Sequence, residues 1–248
     1  DTRIKFETTN YGDNDEFFVD NVRIDLSASN SPPAADLWLS TEDVVAGGGQ
    51  SGDDSWNPSD LIGIADPNLH LGPGTTSGTF ATVFDADGFA SGWDLNAATY
   101  VTAPIQIGSA NFQLLAGDLL LSPTDNGTIF TSNNAAPLDT GFQASVTANN
   151  ADLVVFRPDT VGDYTRGQFA MLIEDVAGGY WLQGITLIEQ NITVGGYALQ
   201  AGDFLYTRSN PSANNSIWLY ETGTTGPGAT PIIRREFLDG DEAGVGIG

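Results

Sequence analysis

The sequence predicts an all-β protein, and three features of its 248 residues lead to that prediction. Its apolar runs are short and rich in β-branched and aromatic residues, as in strands. Gly, Pro, Asn or Asp bounds each run, and these residues favour turns. No stretch keeps a helical period through several turns. We therefore expect antiparallel strands joined in a meander.

Residues 1–26 are expected to form two strands around a polar turn. RIKFET alternates like a strand, YGDNDE has the composition of a turn, and FFVDNVRIDL resumes the strand pattern. The segment DEFFVDNVRI resembles the last strands of jelly-roll modules, similar to carbohydrate-binding modules, in large secreted bacterial proteins. That resemblance implies a strand pair whose own sandwich is missing and which could be donated to a neighbour. The Ser, Pro and Ala-rich stretch 27–35 is expected to be a linker.

Internal repetition begins after the linker. DLWLS at Asp36, DLLLS at Asp118 and DFLYT at Asp203 recur 82 and 85 residues apart. This period predicts repeat 1 over 36–122, repeat 2 over 123–207 and a partial repeat 3 over 208–248. Repeats of about 85 residues with four or five strands fit blade-like units of the propeller type or tandem β-sandwiches, and both alternatives stay open.

Three segments carry a second resemblance: TTSGTFATVFDADG, YTRGQFAMLIEDVAG and IIRREFLDGDEAGVG. They are similar to uncharacterised β-repeat units of large secreted bacterial surface and adhesin-like proteins. The resemblance implies an extracellular repeat architecture, with a chain that begins and ends inside larger modules, and it implies no activity. DNGTIF, with Asp125, Gly127 and Phe130, resembles the Asp-box hairpin of sialidase-like propellers, which is a structural turn.

The net charge of the chain excludes nucleic acids as partners. The chain has 32 acidic and 8 basic residues and a net charge of −24, so it lacks the cations that neutralise nucleic-acid phosphates. An anionic membrane surface would also repel it, and no apolar stretch is long enough to span a membrane. A uniformly acidic protein surface suits an extracellular setting and attracts divalent cations. There is no cysteine, and Asp1 rather than Met begins the sequence, which suggests a removed signal or an excised piece.

Acidic turns are the candidate metal sites, because calcium takes six to eight oxygen ligands. None of them has the spacing of an EF-hand, and Asp-Gly pairs also favour turns that bind no metal. The candidates are Asp13, Asp15, Glu16, Asp85, Asp87, Asp239, Asp241 and Glu242, and Glu174 and Asp175 form a further acidic turn.

Aromatic residues are the candidate carbohydrate-binding groups. Trp56 and Trp93 lie in polar, Gly-rich contexts and are expected to be exposed platforms, as are Tyr11 and Tyr164. Trp38, Trp181 and Trp218 lie in or beside apolar strands and are expected to pack in the core.

No residue is nominated for catalysis, and the chain is not expected to be an enzyme. His70 is the only histidine and lies in a loop sequence, NLHLGPG. Pairs of carboxylates are inevitable among 32 acids, and the sequence favours none of them. Asn126, Asn191 and Asn214 begin N-x-S/T sequons and are candidate glycosylation sites.

These observations predict a secreted structural or adhesive protein that self-assembles into a filament or surface layer. Strand exchange would join copies head to tail as a homopolymer, with calcium damping their repulsion. The alternative is a carbohydrate-binding module of a larger secreted protein. A third hypothesis is a glycosidase-like propeller enzyme.

Overall fold

The computed structural model describes residues 37–41, 44–46, 55–65, 79–109, 112–132, 139–209 and 216–239. These residues form an all-β fold, which confirms the predicted class. Their helical content is a single 3-10 turn, Ala86–Gly88. No helix in this part of the chain is long and apolar enough to cross a membrane. The predicted N-terminal strand pair (1–26) and linker (27–35) lie outside the described residues.

The strands in chain order are β1 (Leu37–Leu39), β2 (Val45–Ala46), β3 (Ser55–Trp56), β4 (Asp60–Ala65), β5 (Thr79–Asp85), β6 (Leu95–Tyr100), β7 (Ile105–Ile107), β8 (Phe112–Leu114), β9 (Leu119–Pro123), β10 (Gly127–Phe130), β11 (Ser145–Ala148), β12 (Leu153–Thr160), β13 (Asp163–Ile173), β14 (Leu182–Leu187), β15 (Ile192–Val194), β16 (Tyr197–Leu199), β17 (Phe204–Arg208), β18 (Ser216–Thr222) and β19 (Pro231–Asp239).

Three sheets carry the fold. Sheet 1 has the order β1-β4-β5, sheet 2 the order β6-β9-β12-β13, and sheet 3 the order β14-β17-β18-β19. The remaining strands form two-stranded ribbons: β2–β3, β7–β8, β10–β11 and β15–β16. Every pairing between these strands is antiparallel. Among the described residues no sheet closes on itself.

Sheet 2 is the middle layer of a stack, because both of its faces are buried. In β9, Leu119 and Leu121 join an apolar cluster with Leu61 and Phe84 of sheet 1. Leu120 points the other way and joins a cluster with residues of sheet 3 such as Phe204. A strand buried on both faces reads as a continuous apolar run, which explains the LLL sequence of β9. Two apolar interfaces therefore hold three sheets together.

The outer face of sheet 3 carries a third, smaller apolar cluster. Ile188, Leu199 and Leu219 are buried there, and Leu205 and Phe237 pack against them. Alternation in β17 produces this arrangement, because Phe204 points to the interface with sheet 2 and Leu205 points away from it.

Sheets 2 and 3 share one strand order. In each, a two-stranded ribbon separates the first strand from the second; β17, β18 and β19 are then consecutive in sheet 3, whereas the ribbon β10–β11 lies between β9 and β12 in sheet 2. Val101, after β6, donates its N–H to Asp118 O and accepts from Gly117 N. Ile188, after β14, makes the same pair of bonds with Asp203 O and Gly202 N. The first strands of the two sheets also lie close together, since Asn96 Nδ2 donates to Leu182 O at 2.8 Å.

Candidate functional site

Four aspartates occupy the same kind of turn at the starts of strands. In each turn the aspartate N–H donates to the carbonyl of the residue three positions earlier, and the carboxylate accepts that residue's N–H. The four turns, which we call the aspartate turns, are 57–60 (NPSD), 115–118 (LAGD), 149–152 (NNAD) and 200–203 (QAGD), with carboxylate bonds of 2.8, 2.9, 2.8 and 3.2 Å. They precede or open β4, β9, β12 and β17.

Local sequence explains this geometry. Gly117 and Gly202 have φ of 98° and 95° at the third turn position, where a type II turn requires a positive φ. The aspartate that follows satisfies the N–H left free at the start of the turn. The sequence singled out Asp118 and Asp203 as repeat anchors, and these turns give the physical reason. Asp36, the first anchor, lies outside the described residues.

The second carboxylate oxygen of three of these aspartates ties the turn to another segment. Asp152 Oδ1 accepts from Asp175 N at 2.9 Å, and Asp203 Oδ1 accepts from Thr222 N at 3.1 Å. Asp118 binds Arg157 through both oxygens, at 3.0 and 2.8 Å. Burial raises the pKa of Asp152 and of Asp203 above the ordinary value, although the backbone bonds act in the opposite direction. The aspartate turns are therefore structural.

Asp85 and Asp87, two of the predicted calcium ligands, also accept hydrogen bonds from backbone N–H groups. Asp85 Oδ1 accepts from Asp87 N at 2.8 Å, and Asp87 Oδ1 accepts from Gly92 N at 2.7 Å. Asp239 ends β19 opposite Ser216. Within the described part of the chain, no group of three or more acidic or histidine side chains is placed to hold a metal. The other five candidates, Asp13, Asp15, Glu16, Asp241 and Glu242, lie outside that part, and calcium binding stays a prediction.

A cavity of about 410 Å³ lies beside two carboxylates, that of Asp60 from the aspartate turn 57–60 and that of Asp85, a predicted calcium ligand. Both carboxylates accept backbone N–H groups, from Asn57 and Asp87. The cavity is also lined by Thr82, Val83, Gly88, Phe89, Tyr164 and Thr165. We assign no chemistry to it, and the absence of enzymatic activity stays a prediction.

The two predicted carbohydrate platforms differ in burial. Trp56 is half-buried on β3. Trp93 is only 2% exposed and belongs to the apolar cluster between sheets 1 and 2, so its expected exposure is wrong. Gly127 lies so close that a Cβ added to it would meet Trp93 Cδ1 at 2.8 Å. The polar, Gly-rich sequence around Trp93 reflects a tight packing site rather than an exposed one.

The structure confirms some of the remaining expectations for aromatic residues and contradicts others. Trp38 and Trp218 pack against the core clusters, as expected. Trp181 is 49% exposed, so its predicted place in the core is wrong. Tyr164 is buried rather than exposed, because the phenol packs in the same cluster as Trp93. Tyr11 and His70 lie outside the described residues.

Two of the predicted glycosylation asparagines are described, and both are exposed. Asn126 lies in the turn between β9 and β10. Asn191 precedes β15, and its side-chain oxygen accepts from Ala201 N at 2.9 Å. Asn214 lies outside the described residues. Glycosylation at all three stays a prediction.

The structure brings together a cationic site that the sequence did not indicate. Arg208 Cζ lies 3.7 Å from the ring centre of Trp218 and 4.5 Å from that of Tyr180. Its Nη1 donates to Ala177 O at 2.9 Å. Arg234 lies next to it and donates to Asp175 O. We call Tyr180, Arg208, Trp218 and Arg234 the arginine corner.

Gly178 allows the two guanidinium groups to converge. It has a φ of 70°, and a Cβ added there would lie 3.0 Å from Arg234 Nη1 and 3.3 Å from Arg208 Nη1. The corner could not have been predicted from the spacing of its residues, because they come from a loop and three different strands. The only local indication was the rarity of arginine in so acidic a chain.

Comparison with protein-family models, with curated proteins and with solved structures gives no match.

Proposed function

We propose that the chain is a non-catalytic structural protein that self-associates by adding a strand of a second copy to the open edge of β19. One observation carries this proposal. β19 is the last strand of sheet 3, and within the described part of the chain its backbone is bonded on one side only over residues 231–238. An unpaired strand edge is a template for another strand.

The corresponding edge of sheet 2, that of β13, differs from the edge of β19. β13 is the last strand there, and its outer edge is covered by the chain itself. Ser132 N donates to Gly167 O at 3.0 Å, Gln143 N to Phe169 O at 2.9 Å, and Gly226 N to Leu172 O at 2.7 Å. For residues 231–238, no backbone bond to the described chain exists beyond the pairing with β18. Among the described residues, the fold therefore covers one edge and leaves the equivalent edge unpaired.

The side chains of β19 support an intermolecular role. Ile232 is 70% exposed, and Ile233 and Leu238 are also exposed. Two of the chain's eight basic residues, Arg234 and Arg235, lie on this strand. Glu236 and Asp239 of the same strand balance them, so this apolar strand has no net charge in a chain of −24, and a second copy would meet little repulsion there.

A blade-type repeat architecture is part of the same proposal. The shared strand order of sheets 2 and 3, the recurring aspartate turns and the proximity of β6 to β14 support blade-like units over tandem sandwiches. In this proposal, sheet 1 is a further unit of which three strands are described. The predicted boundaries at 122 and 207 stay a prediction.

Export, filament formation and calcium complete the proposal. A charge of −24 opposes contact between copies, so divalent cations bound at acidic turns would lower that repulsion. A surface layer or filament outside the cell follows if strand addition continues from copy to copy without closing.

Sedimentation velocity over a range of protein concentrations tests the proposal. Ile232→Lys adds a charge to the exposed edge and should shift the protein to monomer. Val161→Lys is the matched control, because Val161 is 63% exposed at the turn between β12 and β13, away from β19. We expect the control to associate like the wild type. A wild-type chain that remains monomeric throughout would contradict the proposal.

A further inference from the structure

Among the described residues, Arg208 is a buried cation without a carboxylate partner. The residue is 8% exposed, and no ion pair joins it to an acidic side chain in the described part of the chain. Its Nε is buried and unbonded, and the same holds for Arg234 Nε. Removing a guanidinium from water is costly unless an anion or hydrogen-bond acceptors replace the lost solvation. Cation–π contact with two rings offsets only part of that cost.

Two neutral hydroxyl groups are buried nearby. Within the described residues, the hydroxyls of Tyr206 and Tyr220 have no hydrogen-bond partner. Tyr220 lies opposite Arg234 in the β18–β19 pairing. Burial raises the pKa of both phenols to about 12, so both stay neutral at neutral pH and neither supplies an anion. Asp175 Oδ2 lies 3.7 Å from Arg234 Nη2, beyond hydrogen-bond distance, so the corner has room for a closer carboxylate.

The rim of the corner is aromatic. Tyr180 is partly exposed, and its ring covers Arg208. Trp181 is more exposed, and its backbone is fixed beside the corner because Ser209 N donates to Trp181 O at 3.0 Å. Exposed aromatic faces next to guanidinium groups suit a ligand with both a flat apolar surface and an anionic group.

We propose that the arginine corner binds the carboxylate of an acidic saccharide, with a uronate carboxylate at Arg208 and Arg234 and a sugar ring on Trp181. Two guanidinium groups that converge beside Gly178 provide several donors to one carboxylate. The site shares Arg234 with β19, but it lies at the loop 174–181 and on the face of sheet 3 that carries Trp218, whereas strand addition uses the outer backbone edge of β19. Its ligand is a saccharide rather than a second copy of the chain.

Isothermal titration calorimetry with oligogalacturonate tests this site, and the methyl-esterified oligomer is the matched ligand, since esterification removes the charge and keeps the rings. We expect binding of the acid and at least about tenfold weaker binding of the ester, the loss expected for one charge-assisted interaction. Arg234→Gln and Trp181→Ala should each weaken binding of the acid by about tenfold. Arg166→Gln, which removes a charge from an exposed arginine of β13, should change nothing.

Three outcomes would overturn the proposal. One is no measurable binding of the acid oligomer, and another is equal binding of acid and ester. The third is displacement by acetate at the same concentration as the oligomer, which would identify a site for an adventitious ion only. Arg234 and Trp181 are both partly exposed, so the two variants should fold, and circular dichroism checks that they do.

Discussion

At the residue scale, buried aspartates determine how the strands begin. Each of the four aspartate turns uses a carboxylate to satisfy the backbone of the turn, and Asp118 adds a two-point contact with Arg157. Sequence repetition located Asp118 and Asp203, because identical turns need identical residues. It could not reveal the contact with Arg157, which lies 39 positions away from Asp118.

Replacement of Asp118 should therefore be costly. Asp118→Ala leaves the buried side of Arg157 without its main acceptor and frees Leu115 N, and we expect a loss of about 3–5 kcal/mol in the free energy of unfolding. Asp139→Ala is the matched control. It removes the second, half-exposed partner of the same arginine, and should cost less than about 1 kcal/mol. Urea denaturation followed by circular dichroism measures both, and equal losses would contradict a structural role for the aspartate turn.

Acid should stabilise the fold. Burial raises the folded-state pKa of Asp94, Asp152 and Asp203, and the charges of Asp87 and Asp125 add to the effect at Asp94. A raised folded pKa gives a stability contribution that is complete below the unfolded value, about 4, and is lost as pH rises through the folded value. The free energy of unfolding should therefore increase as the pH falls from 7 towards the unfolded value of about 4, and relief of the net charge of −24 acts in the same direction.

Denaturant titrations at a series of pH values measure this slope. The double variant Asp152→Asn, Asp203→Asn should reduce it. Asp163→Asn should not, because hydrogen bonds from Thr165 lower the pKa of that carboxyl. Stability that falls steadily from pH 7 to pH 5 in the wild type would contradict the assignment.

At the element scale, the all-β class could be predicted, whereas the burial of several aromatic residues could not. Short apolar runs between turn residues are local, and they identified the strands. The burial of Trp93 and the exposure of Trp181 depend on which sheet covers which, so the local sequence placed both wrongly. The covered edge of β13 likewise depends on Ser132, Gln143 and Gly226, which lie outside the neighbouring strands of its sheet.

Gly167 tests how closely β13 packs against β12. A Cβ added there would lie 2.3 Å from Arg157 O, and the residue also exchanges hydrogen bonds with Ser132. Gly167→Ala should reduce the free energy of unfolding by about 1–3 kcal/mol, as overpacking does. Gly88→Ala meets nothing within 4 Å and serves as the control. Thermal unfolding of the two variants measures the difference, and an unaffected Gly167→Ala would show that β13 does not pack this closely.

At the scale of the whole molecule, charge opposes association and an open edge favours it. Salt shortens the screening length from about 10 Å at 0.1 M to about 3 Å at 1 M, so added NaCl should increase self-association. CaCl₂ at the same ionic strength should increase it further if calcium occupies acidic turns. Light scattering compares the two salts, and an equal response would remove calcium from the proposal.

In the proposed assembly, β19 receives a strand from a second copy. Hydrogen–deuterium exchange at low and high protein concentration tests this pairing, because strand addition protects amides on the outer edge of β19. We predict that protection within 231–238 increases with concentration in the wild type and not in Ile232→Lys, while 163–173 stays unchanged. Association without new protection in 231–238 would contradict the claim.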